Sequence, residues 1–196
     1  MPRATWFCID IEASGPVPSL YDMLSLGAVR VAEQADGKFD IGDPYYLEFK
    51  PTAPRVDPGA MKVNGLDLDK LRAEGLDLGE GLARLNAWVA AQTPKGSKAV
   101  FVGHNAPFDW SFVSWSYGAT GVPNPFGWNA LDTKALATGV LGIHWLDSNK
   151  ERLQLMLGLP EQDRSKVHRA DYDAWYQALI LVRLLERRST CADSSV

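Results

Sequence analysis

The chain has 196 residues, 46% of them hydrophobic and 22% charged, which excludes a disordered or fibrous protein and favours one globular domain. Its formal net charge of −4 argues against a protein held on nucleic acid by a broad basic surface, but allows an enzyme that grips a few terminal nucleotides. No apolar run reaches the roughly 18 residues of a membrane span. The N-terminus lacks the apolar core of a signal peptide, so we expect a cytoplasmic protein.

The two cysteines do not indicate a structural disulfide. Cys8 lies in an apolar run and is predicted to be a core residue, whereas Cys191 lies in a polar stretch near the C-terminus. No cysteine and histidine have the spacing of a zinc site. We expect one domain over residues 1–190, followed by a short polar tail at 191–196.

The first part of the chain predicts an antiparallel meander. Apolar, β-rich segments at 5–11, 24–32 and 45–49 predict three strands, of which the first is central to its sheet. A turn signal, Asp36-Gly37, lies between the second and the third strand.

The remainder predicts helices alternating with short strands. Short helices are expected around Met61 and Asp69, and a longer one over 78–91, where apolar residues share one face: Leu78, Leu82, Leu85, Trp88 and Val89. This order favours an α/β fold, a mixed five-stranded sheet flanked by helices. The later elements are predicted as strands at 99–102 and 129–131 and as helices at 107–117, from Thr133, at 148–157 and at 168–188.

Four acidic residues lie at the ends of these elements. Asp10 and Glu12 are two apart on the first strand, so their side chains project from the same face. Two carboxylates at the end of an apolar strand need a cation, unless the strand end simply emerges into solvent. Asp109 begins a helix after a buried strand, and Asp173 lies five residues after His168. Each of these two alone could be an ordinary first-turn acid.

Taken together, acids on three separate elements predict a site for divalent cations. Hard cations such as Mg²⁺ and Mn²⁺ prefer carboxylate oxygens. Without a cation, gathered carboxylates repel one another and some are forced to take up protons.

Three motifs carry a resemblance to a known family. They are FCIDIEASG at 7–15, GHNAPFD at 103–109, and HRADYDA at 168–174, which contains a His-x4-Asp pattern. In order, spacing and context they resemble the histidine-bearing (DEDDh) branch of the DEDD exonucleases. That branch includes ribonuclease T, oligoribonuclease and the proofreading subunits of DNA polymerase III. The segments at 61–66 and 124–137 look most like ribonuclease T, although its basic nucleic-acid-binding segment has no counterpart here.

The resemblance implies a ribonuclease H-like fold and a 3′→5′ exonuclease. Such an enzyme would hydrolyse terminal phosphodiesters of single-stranded RNA or DNA by a two-metal-ion mechanism and release nucleoside 5′-monophosphates. His168 is the implied general base, because imidazole can accept a proton near neutral pH. The implied ligands of two Mg²⁺ or Mn²⁺ ions, with Asp10 as the bridge, are Asp10, Glu12, Asp109 and Asp173.

The resemblance also implies partners and substrate contacts. Ala13, Ser14, Asn105 and Phe108 are the implied substrate-binding residues, and a homodimer is the implied assembly. The same motifs fit a DNA proofreading or repair exonuclease, so the choice between DNA and RNA stays open. A catalytically inactive nucleic-acid-binding module is the third alternative, and it would not require the full set of acids and the histidine.

Three further polar residues have no firm role from the sequence. His104 is interpreted as shaping its loop or contacting substrate, and Asp171 as a surface acid beside the third motif. His144 is unassigned. Most of the seven tryptophans, such as Trp88, are interpreted as core residues.

Overall fold

The central strand of the sheet is β1, at Ala4–Ala13, which stands third in the order of strands across the sheet. In a computed structural model of the chain, which describes residues 3–193 and side chains up to residue 187, β1 pairs antiparallel with β2 (Met23–Glu33). On its other edge β1 pairs in parallel with β5 (Lys98–Gly103), and β6 (Ala130–Asp132) adds in parallel to β5. The sheet is therefore mixed, as predicted.

The outer edge of β2 is covered by two short strands. β3 (Phe39–Ile41) and β4 (Tyr45–Glu48) both pair antiparallel with β2, so the sheet has six strands and the predicted number of five was wrong. Between them lies Pro44, which has no backbone N–H to donate and interrupts the pairing. Three residues are too few to give a periodic pattern, which is why β3 was missed.

Residues 3–193 contain seven α-helices, four between strands and three after the last strand, and a helix was predicted at each of these places. The last one begins at Ala170 rather than at His168, because His168 has a left-handed backbone with φ of 66°. The predicted polar tail, 191–196, includes three residues of this helix, and 194–196 lie outside the described residues. The helices are α1 (Pro58–Asn64), α2 (Leu68–Glu74), α3 (Leu78–Gln92), α4 (Ala106–Thr120), α5 (Thr133–Leu141), α6 (Lys150–Leu157) and α7 (Ala170–Asp193).

Alternate residues of β1 supply the two faces of the sheet with core side chains. Phe7 and Ile9 pack with α3 and α4 on one face, whereas Cys8 packs under α7 on the other. The prediction that Cys8 is a core residue is confirmed, and its burial raises the pKa of the thiol. Trp88 packs against the core on the face of Phe7 and Ile9, as the helical spacing predicted, and stacks on Tyr45 there.

None of the helices within residues 3–193 is both long and apolar enough to cross a lipid bilayer.

Candidate active site

The carboxyl end of β1 carries the first two acids. Ile9 and Ile11 are buried while Asp10 and Glu12 are partly exposed, so the two carboxylates share one side of the strand. Gln177 of α7 donates a hydrogen bond of 2.6 Å from its Nε2 to Asp10 Oδ1. β1 therefore presents two acids, and α7 fixes the direction of one of them.

Asp109 reaches the same point from the first turn of α4. The turn between β5 and α4 is tight, since a Cβ on Gly103 would lie 2.8 Å from the Cα of Ala106. β5 pairs with β1 only as far as Cys8. Beyond that residue of β1, the Ile11 N–H donates a 3.0 Å hydrogen bond to Asp109 Oδ1. Asp109 is only 4% exposed, so its carboxylate is fixed beside β1.

The start of α7 brings the third motif to the site. α7 packs directly on β2, where Gly27 pairs with Asp10 and leaves room for the backbone of Ala170. Asp173, 4% exposed, accepts a 2.7 Å hydrogen bond at Oδ2 from the backbone N–H of His168. The third motif thus lies on the face of the sheet that carries Asp10.

The structure brings all five proposed catalytic residues to one open cavity of about 570 Å³. Ligand atoms of Glu12, His168 and Asp173 lie within 4.8 Å of one another, a group that could hold a metal ion. A second cavity, of about 590 Å³ beside Trp115 and Trp128, has no carboxylate in its lining and does not share this chemistry. The residues of the first cavity are Asp10, Glu12, Asp109, Asp173 and His168.

Three carboxylates of the cavity, those of Asp10, Glu12 and Asp109, have raised pKa values. Burial, together with the neighbouring Asp173, raises the pKa of Asp10 to about 7, against the opposing effect of Lys150. Burial and the charges of Asp10 and Asp173 raise the pKa of Glu12 to about 9. Burial and Asp10 also raise the pKa of Asp109. Such shifts mark a site with too little positive charge for its acids.

Lys150 and Gln177 are two residues of the site that the sequence reasoning missed. Lys150, the first residue of α6, hydrogen-bonds Asp173 Oδ1 through its Nζ, which lies 3.9 Å from Asp10 Oδ1. Burial lowers the pKa of this lysine, but Asp10, Asp173 and Asp109 more than offset that effect and raise it. The spacing of Gln177, four residues after Asp173, was a usable signal, since such residues share a helix face. No local signal marked Lys150.

Two of the four predicted substrate residues line the cavity and two do not. Asn105 and Phe108 lie on it, the latter with a ring 37% exposed. Ala13 and Ser14 are buried beyond the end of the cavity. The Ser14 hydroxyl accepts a hydrogen bond from the N–H of Asp22, and the Ala13 carbonyl accepts one from Asn64, so both are already engaged.

The remaining polar residues also find partners. His104 lines the cavity, and its Nδ1 lies 2.9 Å from the Thr133 hydroxyl; burial, followed by the charges of Lys150 and Lys134, lowers its pKa to about 3. Asp171 pairs with Arg169 outside the cavity lining. His144 begins a short 3₁₀ turn and accepts a hydrogen bond from Leu146.

The chain is similar to several known nucleases along nearly its whole length, although no protein-family model matches it. It is 36% identical over 181 residues to the 3′-5′ DNA exonuclease Cap18 of Escherichia coli, covering 92% of this chain and 91% of that protein. It is 26% identical over 184 residues to ribonuclease T of Marinobacter nauticus, covering 91% and 81%. The chain therefore belongs to the DEDDh 3′→5′ exonucleases, metal-dependent hydrolases of nucleic acid.

Solved structures share the fold at low sequence identity. The nuclease domain of 3′hExo, a DEDDh family member bound to rAMP, superposes with a TM-score of 0.76 at 14% identity, over 93% of this chain and 92% of that one. E. coli exonuclease I in complex with a dT13 oligonucleotide gives 0.71 at 21% identity, over 97% of this chain and 43% of that one. The fold is the ribonuclease H-like one that the motifs predicted.

Proposed function

We propose that the chain removes nucleotides one at a time from the 3′ end of single-stranded DNA and releases nucleoside 5′-monophosphates. The observation that carries the proposal is the convergence of four carboxylates and one imidazole, from three separate elements, on one open cavity. Binding without hydrolysis would not require that set, which disfavours an inactive nucleic-acid-binding module.

The donor set fits two hard divalent cations, Mg²⁺ or Mn²⁺. Asp10, Glu12, Asp109 and Asp173 offer carboxylate oxygens, which these ions prefer, and the raised pKa values of the first three mark acids in need of positive charge. When bound, the ions would lower the pKa of water and neutralise charge on the phosphate.

His168 accepts the proton of the attacking water in this proposal. Its side chain is exposed at the cavity and lies within 4.8 Å of Glu12 and Asp173. Attack of water on phosphorus breaks the bond to the 3′ oxygen of the penultimate nucleotide, and that oxygen takes a proton from solvent. The terminal nucleotide then leaves with its 5′ phosphate, so the reaction is a balanced hydrolysis.

The rim of the cavity suits an unpaired strand end. Phe108 and Trp145 expose 37% and 43% of their surface there, and rings of this kind can stack on unpaired bases. Lys134 lies over the Trp145 ring, 4.0 Å from its centroid, and adds positive charge on the same rim. The Asn105 side chain is a polar contact beside them. The Ala13 carbonyl and the hydroxyl, N–H and carbonyl of Ser14 already have hydrogen-bond partners, so we leave these two residues out of the proposed substrate contacts.

DNA is favoured over RNA by the relatives. The relative that is 36% identical is named a DNA exonuclease, whereas ribonucleases T of other bacteria are 26–28% identical to this chain. RNA trimming is the second candidate, supported by the ribonuclease T-like segments around Asn124 and Asp132.

The deciding experiment compares end labels and end sugars in one assay with Mn²⁺. We expect labelled mononucleotide to be released promptly from a 3′-labelled single strand, and much later from a 5′-labelled one. A DNA strand ending in one ribonucleotide, beside an all-DNA strand and an all-RNA strand, separates the two candidates, since they differ by the 2′-hydroxyl. Release of mononucleotide from the 5′ end first would defeat the proposal.

The Asp10→Asn variant is the matched control for the chemistry. It keeps the shape of the side chain and removes one ligand charge, so we expect hydrolysis to be lost while the fold, followed by circular dichroism, is retained. Retained hydrolysis would contradict the ligand assignment.

The homodimer and the cytoplasmic location implied by the sequence belong to this proposal as well. Light scattering of the purified chain tests whether it forms a homodimer.

A further inference from the structure

Lys150 places a positive charge inside the carboxylate cluster. Its side chain is 19% exposed, and its Nζ hydrogen-bonds Asp173 Oδ1 and lies 3.9 Å from Asp10 Oδ1. The other lysine of the cavity, Lys134, lies over the Trp145 ring instead. Within the described part of the chain, Lys150 is the lysine that forms ion pairs with the proposed metal ligands.

The position of Lys150 on its helix does not stabilise its positive charge. It is the first residue of α6, where the partial positive charge of the helix N-terminus disfavours a cation. Burying most of a lysine side chain costs free energy unless the ammonium is paired. The carboxylates of Asp10 and Asp173 are therefore what stabilises the lysine there.

The contacts of Asp173 show what an incoming ion must displace. Its Oδ2 accepts the backbone N–H of His168, and its Oδ1 accepts the Lys150 ammonium. Asp10 Oδ1 accepts a hydrogen bond from Gln177 and forms an ion pair with the ammonium at 3.9 Å. A divalent ion that takes Oδ1 of either carboxylate meets the lysine first.

We propose that the Lys150 ammonium occupies one cation position of the cluster and competes with a divalent ion for Asp10 and Asp173. This inference rests on the proposed function, because it assumes that these carboxylates bind metal. The flexible four-carbon stem lets the ammonium withdraw into the open cavity when an ion displaces it. The chain thus carries its own exchangeable counter-ion for the metal-free state.

Calorimetric titration of Mn²⁺ into the protein without substrate tests the competition. Lys150→Met keeps the length of the side chain and removes the charge. We expect this variant to bind Mn²⁺ about 10- to 100-fold more tightly, because the ion no longer has to break a hydrogen bond between charged groups. Lys134→Met removes a charge from the same cavity without an ion pair to Asp10 or Asp173, so its affinity should change less than about threefold. Equal affinities in the wild type and both variants would overturn the proposal.

A measurement on the wild type covers the case in which Lys150→Met does not fold. Acylation of lysines, read by peptide mass spectrometry with and without Mg²⁺, reports access to the amine. We expect Lys150 to be acylated faster with Mg²⁺, relative to the exposed Lys98. Unchanged acylation of Lys150 would count against displacement.

The outcomes separate this inference from the proposed function. Hydrolysis with unchanged Mn²⁺ binding in Lys150→Met refutes the inference alone. Tighter Mn²⁺ binding in Lys150→Met without hydrolysis by the wild type refutes the proposed function alone. Binding of one ion by the wild type and two by the variant would support the competition in its strongest form. Absence of Mn²⁺ binding in both proteins would overturn both proposals.

Discussion

His168 is held in a backbone conformation that histidine adopts at a cost. Its φ of 66° lies in the left-handed region, where non-glycine residues are uncommon, although asparagine, aspartate and histidine are enriched. The conformation costs about 1–3 kcal/mol, and the hydrogen bond from His168 N–H to Asp173 offsets part of it. The result is an imidazole beside the carboxylates rather than on the surface of α7.

Replacing His168 by Asn tests the general base. Asparagine tolerates the left-handed backbone, so the fold should survive, but it cannot take up the proton of the attacking water. We expect kcat to fall by about 10²- to 10⁴-fold, measured as single-turnover release of mononucleotide. His144→Asn, at the start of the 3₁₀ turn, should leave activity unchanged, because asparagine also caps such a turn. A His168→Asn enzyme close to wild type in rate would assign the proton to another group.

The aromatic rim makes a separate prediction about strand binding. Trp145→Ala or Phe108→Ala removes a half-exposed ring from the cavity, and we expect each to weaken binding of a single strand by about 1–3 kcal/mol. Trp128→Ala is the matched control, since its indole is 94% exposed but lines the other cavity. Fluorescence anisotropy with the inactive Asp10→Asn background measures the dissociation constants. Equal losses at all three positions would show that the rim has no special part in binding.

Side chains whose role depends on local spacing could be predicted from the sequence. Asp10 and Glu12 share a strand face, and His168 and Asp173 share one short motif, so the pattern alone brought them to attention. Lys150 depends on where α6 packs against α7, which no local pattern specifies. Ser14 was assigned to substrate from the family resemblance, and no pattern in the sequence reveals that its hydroxyl accepts a hydrogen bond from the Asp22 N–H.

At the scale of elements, the site depends on how closely α7 approaches β2. A Cβ on Gly27 would lie 2.1 Å from the Ala170 carbonyl oxygen and 2.4 Å from the Asp171 nitrogen. Gly27 also pairs with Asp10, so the contact lies directly beside the first acid. The absence of a side chain at this residue sets the distance between the first and third motifs.

Gly27→Ala should therefore reduce activity as well as stability. The methyl group forces the first turn of α7 away from β2, an overpacking cost of about 1–3 kcal/mol. Because Asp173 moves with that turn, we expect kcat to fall more than the loss of folded protein explains. Gly139→Ala in α5 meets no atom within 4 Å and should stabilise the chain by about 0.4–1 kcal/mol with unchanged activity. Thermal melts and initial rates measure both, and full activity in folded Gly27→Ala would contradict the argument.

The longer elements were predictable because burial imposes a period on them. The apolar face of α3 and the apolar, β-rich run of β1 gave bounds within a few residues. β3, with three residues beside Pro44, has too few positions to show a period. The start of α7 was set too early because a left-handed histidine leaves no mark in composition.

At the scale of the whole molecule, the negative charge of the chain makes bound cations part of its stability. The net charge is −4, and the cavity adds acids whose protons are retained on folding. Burial raises the pKa of Asp10 from 3.8 to about 7 and that of Glu12 from 4.5 to about 9, so the folded protein binds protons there that the unfolded chain has released. The metal-free protein thus loses this contribution to stability as pH rises from about 4 through 7 towards 9.

Divalent ions should stabilise the protein more at alkaline than at acidic pH, because they bind the ionised carboxylates in competition with protons. An ion concentration 100 times the dissociation constant adds about 2.7 kcal/mol, roughly 5–10 °C in Tm for a chain of this size. We expect that gain from Mg²⁺ over EDTA near pH 8.5 and a smaller one near pH 6, at matched ionic strength. A Glu12→Gln variant, which has no proton to exchange at that position, should show a weaker dependence of the gain on pH. An equal rise of Tm at both pH values would mean that the ions stabilise the fold somewhere other than at these acids.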